Sequence, residues 1–179
     1  MIRKPGRRDT FVNERPMKRL TARMKTDYFR RSYEAIDGLW FMKLEEDMDF
    51  ERALEYDRRV WEIVPKIQCR KIKDMLGLDP VGLGGLSEAL TAKFAIEGFA
   101  CSLRNDDQGH LIFEIKSCPW FEKMKASGRE HLAARVGQVI CQTEYQAWAR
   151  EFGKDIRAQV TNRLCDGRKT CTLDFSLEQ

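Results

Sequence analysis

The chain has 179 residues, enough for one domain to bury a core without staples. Charged residues make up 34% and apolar ones 42%, the balance of a soluble globular protein, and no apolar run approaches a membrane span. The net charge of +4 hides an uneven spread: residues 1–31 carry 11 Lys/Arg against 3 Asp/Glu, leaving 21 against 25 in the remainder. The basic start, "MIRKPGRRDTFVNERPMKRLTARMK", has no apolar h-region, so it does not read as a secretory signal and a cytoplasmic location is expected. Residues 1–26 are read as a basic, flexible arm able to touch nucleic acid or an anionic surface weakly, and residues 27–179 as a single domain.

The first half has helical periodicity. "DYFRRSYEAIDGLWFMKLEEDM" places Tyr33, Ile36, Trp40, Phe41 and Leu44 at helical spacing. "DFERALEYDRRVWEIVPKIQCRKIKDML" puts Leu54, Val60, Trp61, Val64, Ile67, Ile72 and Met75 on or near one stripe, with a kink near Val64 imposed by Pro65. "LSEALTAKFAIEG" makes a third helix ended by Gly98. The period then falls from about 3.6 to 2. "FACSLR" and "HLIFEIK" read as a hairpin, "REHLAARVGQVICQTEYQAWAREFG" as a long helix, and "DIRAQVTNRL" with "TCTLDF" as a second hairpin. The expected fold is α+β: an N-terminal helical layer on a roughly four-stranded antiparallel sheet.

Cysteines are the chemistry-bearing residues. Cys118, Cys141, Cys165 and Cys171 lie in the C-terminal half, the last two on either side of "DGRKT". That flanking pair admits a cross-strand disulfide, half of a metal site, or two unrelated thiols. A reducing compartment counts against the disulfide. Zinc in structural sites takes four ligands from Cys, His and Asp/Glu, though C-x5-C is looser than the usual knuckle spacing. Cys101, between Phe99 and Leu103, and Cys69, near its helix stripe, read as core residues.

The stretch "DGLWFMKLEEDMDFERALEYDRRVWEIVPKIQCRKIKDMLGL" resembles the N-terminal helices of an uncharacterised family of cytosolic proteins from anaerobic bacteria and archaea, itself similar to the L-2-amino-thiazoline-4-carboxylic acid hydrolases. "SCPW", "VICQTEYQAWAREFG" and "LCDGRKTCTLDF" look like the same families, and like the end of the 4-vinyl reductase small-molecule-binding domain. The latter resemblance implies a ligand-binding fold and, in aromatic-sensing members, a structural zinc on three cysteines and a glutamate. It maps Cys141, Cys165 and Cys171 to ligands, with Cys118 or Glu144 as the fourth. An iron–sulfur cluster is the alternative cofactor, since four thiolates serve both.

The expected protein is a metal-binding domain with a small-molecule pocket. The alternative is a hydrolase opening a small cyclic amino-acid-like substrate. For that chemistry Asp57 is the candidate base, embedded among Leu54, Val60, Trp61 and Val64, its structural counter-reading being an ion pair with Arg31, Arg58 or Lys43. Trp40, Phe41, Trp61 and Phe94 are the candidate pocket lining. His110 is expected to face solvent, and His131, in "REHLAA", to sit at a helix start.

Overall fold

The computed structural model describes residues 20–78, 81–105 and 109–178. Among the described residues six α-helices and four strands follow in the order α1 (Ala22–Asp47), α2 (Phe50–Trp61), α3 (Val64–Leu76), α4 (Gly82–Glu97), β1 (Ala100–Asn105), β2 (Leu111–Ser117), α5 (Pro119–Ala126), α6 (Glu130–Arg150), β3 (Ile156–Thr161) and β4 (Cys171–Leu177). The class is α+β as expected. Two compact units divide the chain, Met1–Trp40 and Phe41–Gln179, so the boundary falls within α1. The expected arm lies mostly outside the described residues, but its last part does not: α1 already starts at Ala22.

In the larger unit, the long helix expected over 49–76 is two helices. Asp49 caps α2 by accepting from the Arg52 N–H at 2.8 Å. Pro65 sits in the first turn of α3, where its missing donor costs nothing, and so it starts a helix rather than kinking one. The break rotates the apolar stripe. Leu54, Trp61, Cys69 and Ile72 are buried, whereas Val60, Ile67 and Met75 face outward. Helix α4 begins at Gly82, inside the expected loop, and ends at Gly98, whose φ of 82° is the left-handed conformation a helix stop requires.

The sheet order is β1-β2-β4-β3, with every neighbouring pair antiparallel. Alternation places Leu111, Phe113 and Ile115 of β2, Ile156, Ala158 and Val160 of β3, and Leu173 and Phe175 of β4 on the buried face. Cys69 and Ile72 of α3, Leu86, Leu90 and Phe94 of α4, and Tyr145 and Trp148 of α6 complete that core. A second cluster joins Leu54 and Trp61 of α2 to Ile140 of α6, with Phe41, Phe50 and Trp120 packed against it.

Strand β3 is a sheet edge, and helix α6 closes it. Gln142 donates to the Ala158 carbonyl at 2.7 Å and accepts from the Val160 N–H at 3.2 Å. Gln146, one turn on, donates to the Ile156 carbonyl at 3.1 Å and accepts from the Ala158 N–H at 3.0 Å. Two primary amides thus stand in for a missing strand and satisfy groups that would otherwise invite pairing with another chain. Replacing Gln146 with Ala leaves two such groups unpaired. It should cost about 1–3 kcal/mol in urea unfolding, with an earlier onset of aggregation.

Candidate functional site

Four elements bring the C-terminal cysteines together. Strand β2 ends at Ser117, and Cys118 follows as the N-cap of α5, a short helix between the expected hairpin and the expected long helix. The Cys118 sulfur closes no capping hydrogen bond, yet the N–H groups of Phe121 and Trp120 favour its thiolate form. Cys141 projects from the middle of α6.

Cys165 lies in a single 3-10 turn, Leu164–Asp166, that Gly167 ends at a φ of 76°. This turn sits in the connection between β3 and β4, so Leu164 leaves the strand pattern it was expected to extend. Asn162, also out of that pattern, turns the chain with a φ of 50°. Cys171 opens β4 and accepts from the Leu164 N–H at 3.1 Å.

Gly137 makes room for this convergence. A Cβ built there would meet the Cys165 sulfur at 2.8 Å and the Cys141 sulfur at 3.9 Å, so α6 can receive the turn only because it has no side chain one turn before Cys141. The signal was present in the sequence as a glycine inside a helical pattern. Gly137→Ala should cost about 1–3 kcal/mol by overpacking and raise the reactivity of Cys165 toward a thiol reagent by several fold.

The electrostatics are those of clustered thiols. Burial raises the Cys141 thiol well above its usual pKa, and Cys118, Glu144, Cys165 and Cys171 add to that shift. Cys118 is pushed up to about 11 by burial, with smaller contributions from Cys171 and Glu144. Cys165 also reaches about 11, through burial and then Asp166 and Cys171. Cys171 is raised by burial but restrained by the Leu164 N–H and by Arg163. Cys118, Cys141 and Cys165 are thus each raised in part by Cys171. None of the six cysteines is in a disulfide.

The donors around the sulfurs test whether a metal fits. Arg163 acts on both Cys165 and Cys171, and its Nε is buried without a hydrogen-bond partner. The Leu164 N–H points at Cys171. Donors of this kind surround metal-bound thiolates and tune them. Among the described residues no group of three or more His, Cys, Asp or Glu is placed to hold a metal ion.

Glu144 has a different engagement. It pairs at 2.8 Å with Lys93, a lysine only 1% exposed, which also pairs with Glu97 at 2.7 Å. The ammonium lies 5.9 Å from the Tyr145 ring centre and 5.4 Å from that of Phe99. Burial opposes its charge, but the two carboxylates outweigh burial and raise its pKa. This buried triad was not foreseen, because Lys93 sits in an ordinary helical stretch.

The other expected site residues are dispersed. Phe94 is buried in the main core, while Trp61 and Phe41 belong to the second cluster, where Trp61 meets Trp120 edge-on at 5.9 Å. Phe94 therefore does not line one pocket with Trp61 and Phe41, and Trp40, in the other unit, is 67% exposed. Asp57 is half-buried on α2, whose Leu54 and Trp61 belong to the second cluster. Of the cations expected near it, Lys43 pairs with Glu46, and Arg58 with Glu55 and Glu62. His131 is exposed in the first turn of α6, the helix start expected of it. His110 is only partly exposed and shares a 2.8 Å bond with Asp174, beside a shallow cleft of about 350 Å³ that Ser87 and Glu88 also line.

A model of a family of unknown function, DUF6125, matches residues 20–177. No curated protein matches the chain. The fold is similar to that of a trafficking protein particle complex subunit 3 from Naegleria fowleri, solved with palmitic acid covalently bound. The TM-score is 0.56 at 12% identity, covering 86% of this chain and 97% of that one. At that identity the likeness is one of fold alone.

Proposed function

The chain belongs to the DUF6125 family of unknown function, and from that premise we propose that it is a metal-binding domain whose Cys118, Cys141, Cys165 and Cys171 hold one zinc ion. What supports the reading is that Cys165 and Cys141 press on the same stretch of α6, where only Gly137 leaves room, and that Cys171 adds to the raised pKa of Cys118, Cys141 and Cys165. Four thiolates would fill a tetrahedral site and leave no position for water, so the metal would be structural. It would tie the turn after β3 to α6 and to the start of α5. In this arrangement Glu144 stays with Lys93 and acts on the site as a nearby charge instead of as a ligand.

Elemental analysis of anaerobically purified protein tests this directly. About one zinc per chain is expected, absent from Cys165→Ser/Cys171→Ser. Iron with sulfide in equal amount would replace zinc by a cluster on the same ligands. No metal, with all four thiols reacting freely in the folded protein, would reject the site.

A further inference from the structure

The sheet has two edges, and helix α6 closes one of them by bonding the outward backbone groups of Ile156, Ala158 and Val160. Arg157, Gln159 and Thr161 therefore turn their amides and carbonyls to β4, and alternation carries this through the register of the sheet. The backbone groups of Leu173 and Phe175 face β2, and those of Ile112 and Glu114 face β1. Cys101, Leu103 and Asn105 of β1 are left pointing theirs away from the sheet. Among the described residues no strand lies beyond β1. Its sequence, ACSLRN, has no proline, no lysine and no charge on the core face, the usual protections of an edge, and its register shift is confined to the start, between Ala100 and Cys101. Leu103 stands on the core face opposite the buried Phe113, yet it is 43% exposed: the core stops short of it.

We infer that β1 pairs with β1 of a second copy, antiparallel about a two-fold axis at Leu103, joining two four-stranded sheets into one. That register sets Leu103 against Leu103 of the second copy, Cys101 against its Asn105 and Asn105 against its Cys101. Each facing pair exchanges two backbone hydrogen bonds, and Leu103 gains an apolar neighbour where the core now ends. Charge selects the same register. Arg104 is the one charge of β1 and shares the opposite face with Ser102, Ile112 and Glu114. Across the joined sheet its row reads Ile112, Arg104, then Ser102 and Glu114 of the second copy. The arginine thus reaches over a small serine to a carboxylate two strand spacings away, about 10 Å between backbones. An axis at Ser102 would instead lose one facing pair and turn Arg104 toward the Lys116 end of the second copy's β2.

Sedimentation of the full chain from about 5 to 200 µM, with amide hydrogen exchange at both ends of that range, tests this. Wild type should pass from monomer to mostly dimer. The Cys101, Leu103 and Asn105 amides should exchange several fold more slowly at the higher concentration, whereas those of Ser102 and Arg104, bonded to β2, are protected at both. Leu103→Lys places a charge on the core face of the edge and should be a monomer throughout. Leu103→Pro removes an outward N–H and no bond to β2, so it should be a monomer with wild-type circular dichroism. Arg104→Glu should weaken the dimer by a few fold, and Arg104→Glu/Glu114→Arg should restore it. A wild type still monomeric at the highest concentration, a dimer that survives Leu103→Lys, unchanged exchange at Leu103, or no restoration by the charge swap would each overturn the inference.

Discussion

Lys93→Met should destabilise the protein by about 3–5 kcal/mol, the usual cost of removing one partner from a buried ion pair. The reason lies in what remains. Glu144 is 8% and Glu97 18% exposed at the side chain, and in the wild type one ammonium serves both. Methionine fills the same volume but leaves two carboxylates near each other in an apolar setting among Phe94, Phe99 and Tyr145. Both would then ionise only with difficulty, so their folded pKa values rise above those in the unfolded chain. Groups raised in this way stabilise the fold while protonated and lose that contribution as pH increases. Lys93→Met should therefore recover part of its lost stability as pH falls from about 8 to 5, opposite to acid destabilisation. Urea midpoints measured across that range would show the slope. Adding Glu97→Gln and Glu144→Gln should flatten it. A variant within about 1 kcal/mol of wild type and without the slope would mean that the triad is not buried as described.

Metal removal is expected to have an effect of similar size. A ligand held at 1,000 times its Kd stabilises by about 4.1 kcal/mol, which for a chain of this length corresponds to roughly 10–15 °C in Tm. Chelation of wild type, or the Cys165→Ser/Cys171→Ser change, should lower Tm by that amount, and the two effects should not add. The pH dependence follows from the raised thiols. Because Cys118 and Cys165 lie at about 11 without metal, all four ligands are protonated near neutrality and must release protons on binding. Apparent affinity should thus climb steeply with pH, by up to about tenfold per unit for each proton displaced. Metal-free protein should do the reverse: its buried neutral thiols contribute stability that is lost as pH rises from the unfolded value of about 8.5 through the folded one. Equal melting of loaded, chelated and doubly substituted protein would remove the metal from the account of stability.

Much of this architecture was legible in the residues. The alternation of Leu111, Phe113 and Ile115, and of Leu173 and Phe175, specified strands with one buried face, because a period of two has only one way to hide its apolar set. Gly98 marked a helix end through a backbone constraint that acts whatever the surroundings, whereas Pro65, read as a kink, starts α3. The four cysteines were singled out because thiol chemistry is local to the side chain.

What the sequence could not settle was which neighbour each face would meet. Trp61 and Phe94 are equally apolar on paper, yet they lie in separate clusters, Trp61 of α2 against Ile140 and Phe94 of α4 in the core over the sheet. Glu144 read as a ligand by its distance from Cys141 along the helix, and only the packing of α4 on α6 supplied Lys93 to claim it. Gln142 and Gln146 read as ordinary polar helix positions until β3 came to lie beside them. Periodicity reports burial within one element, which the chain carries in itself; pairing between elements depends on distances that only the folded chain creates.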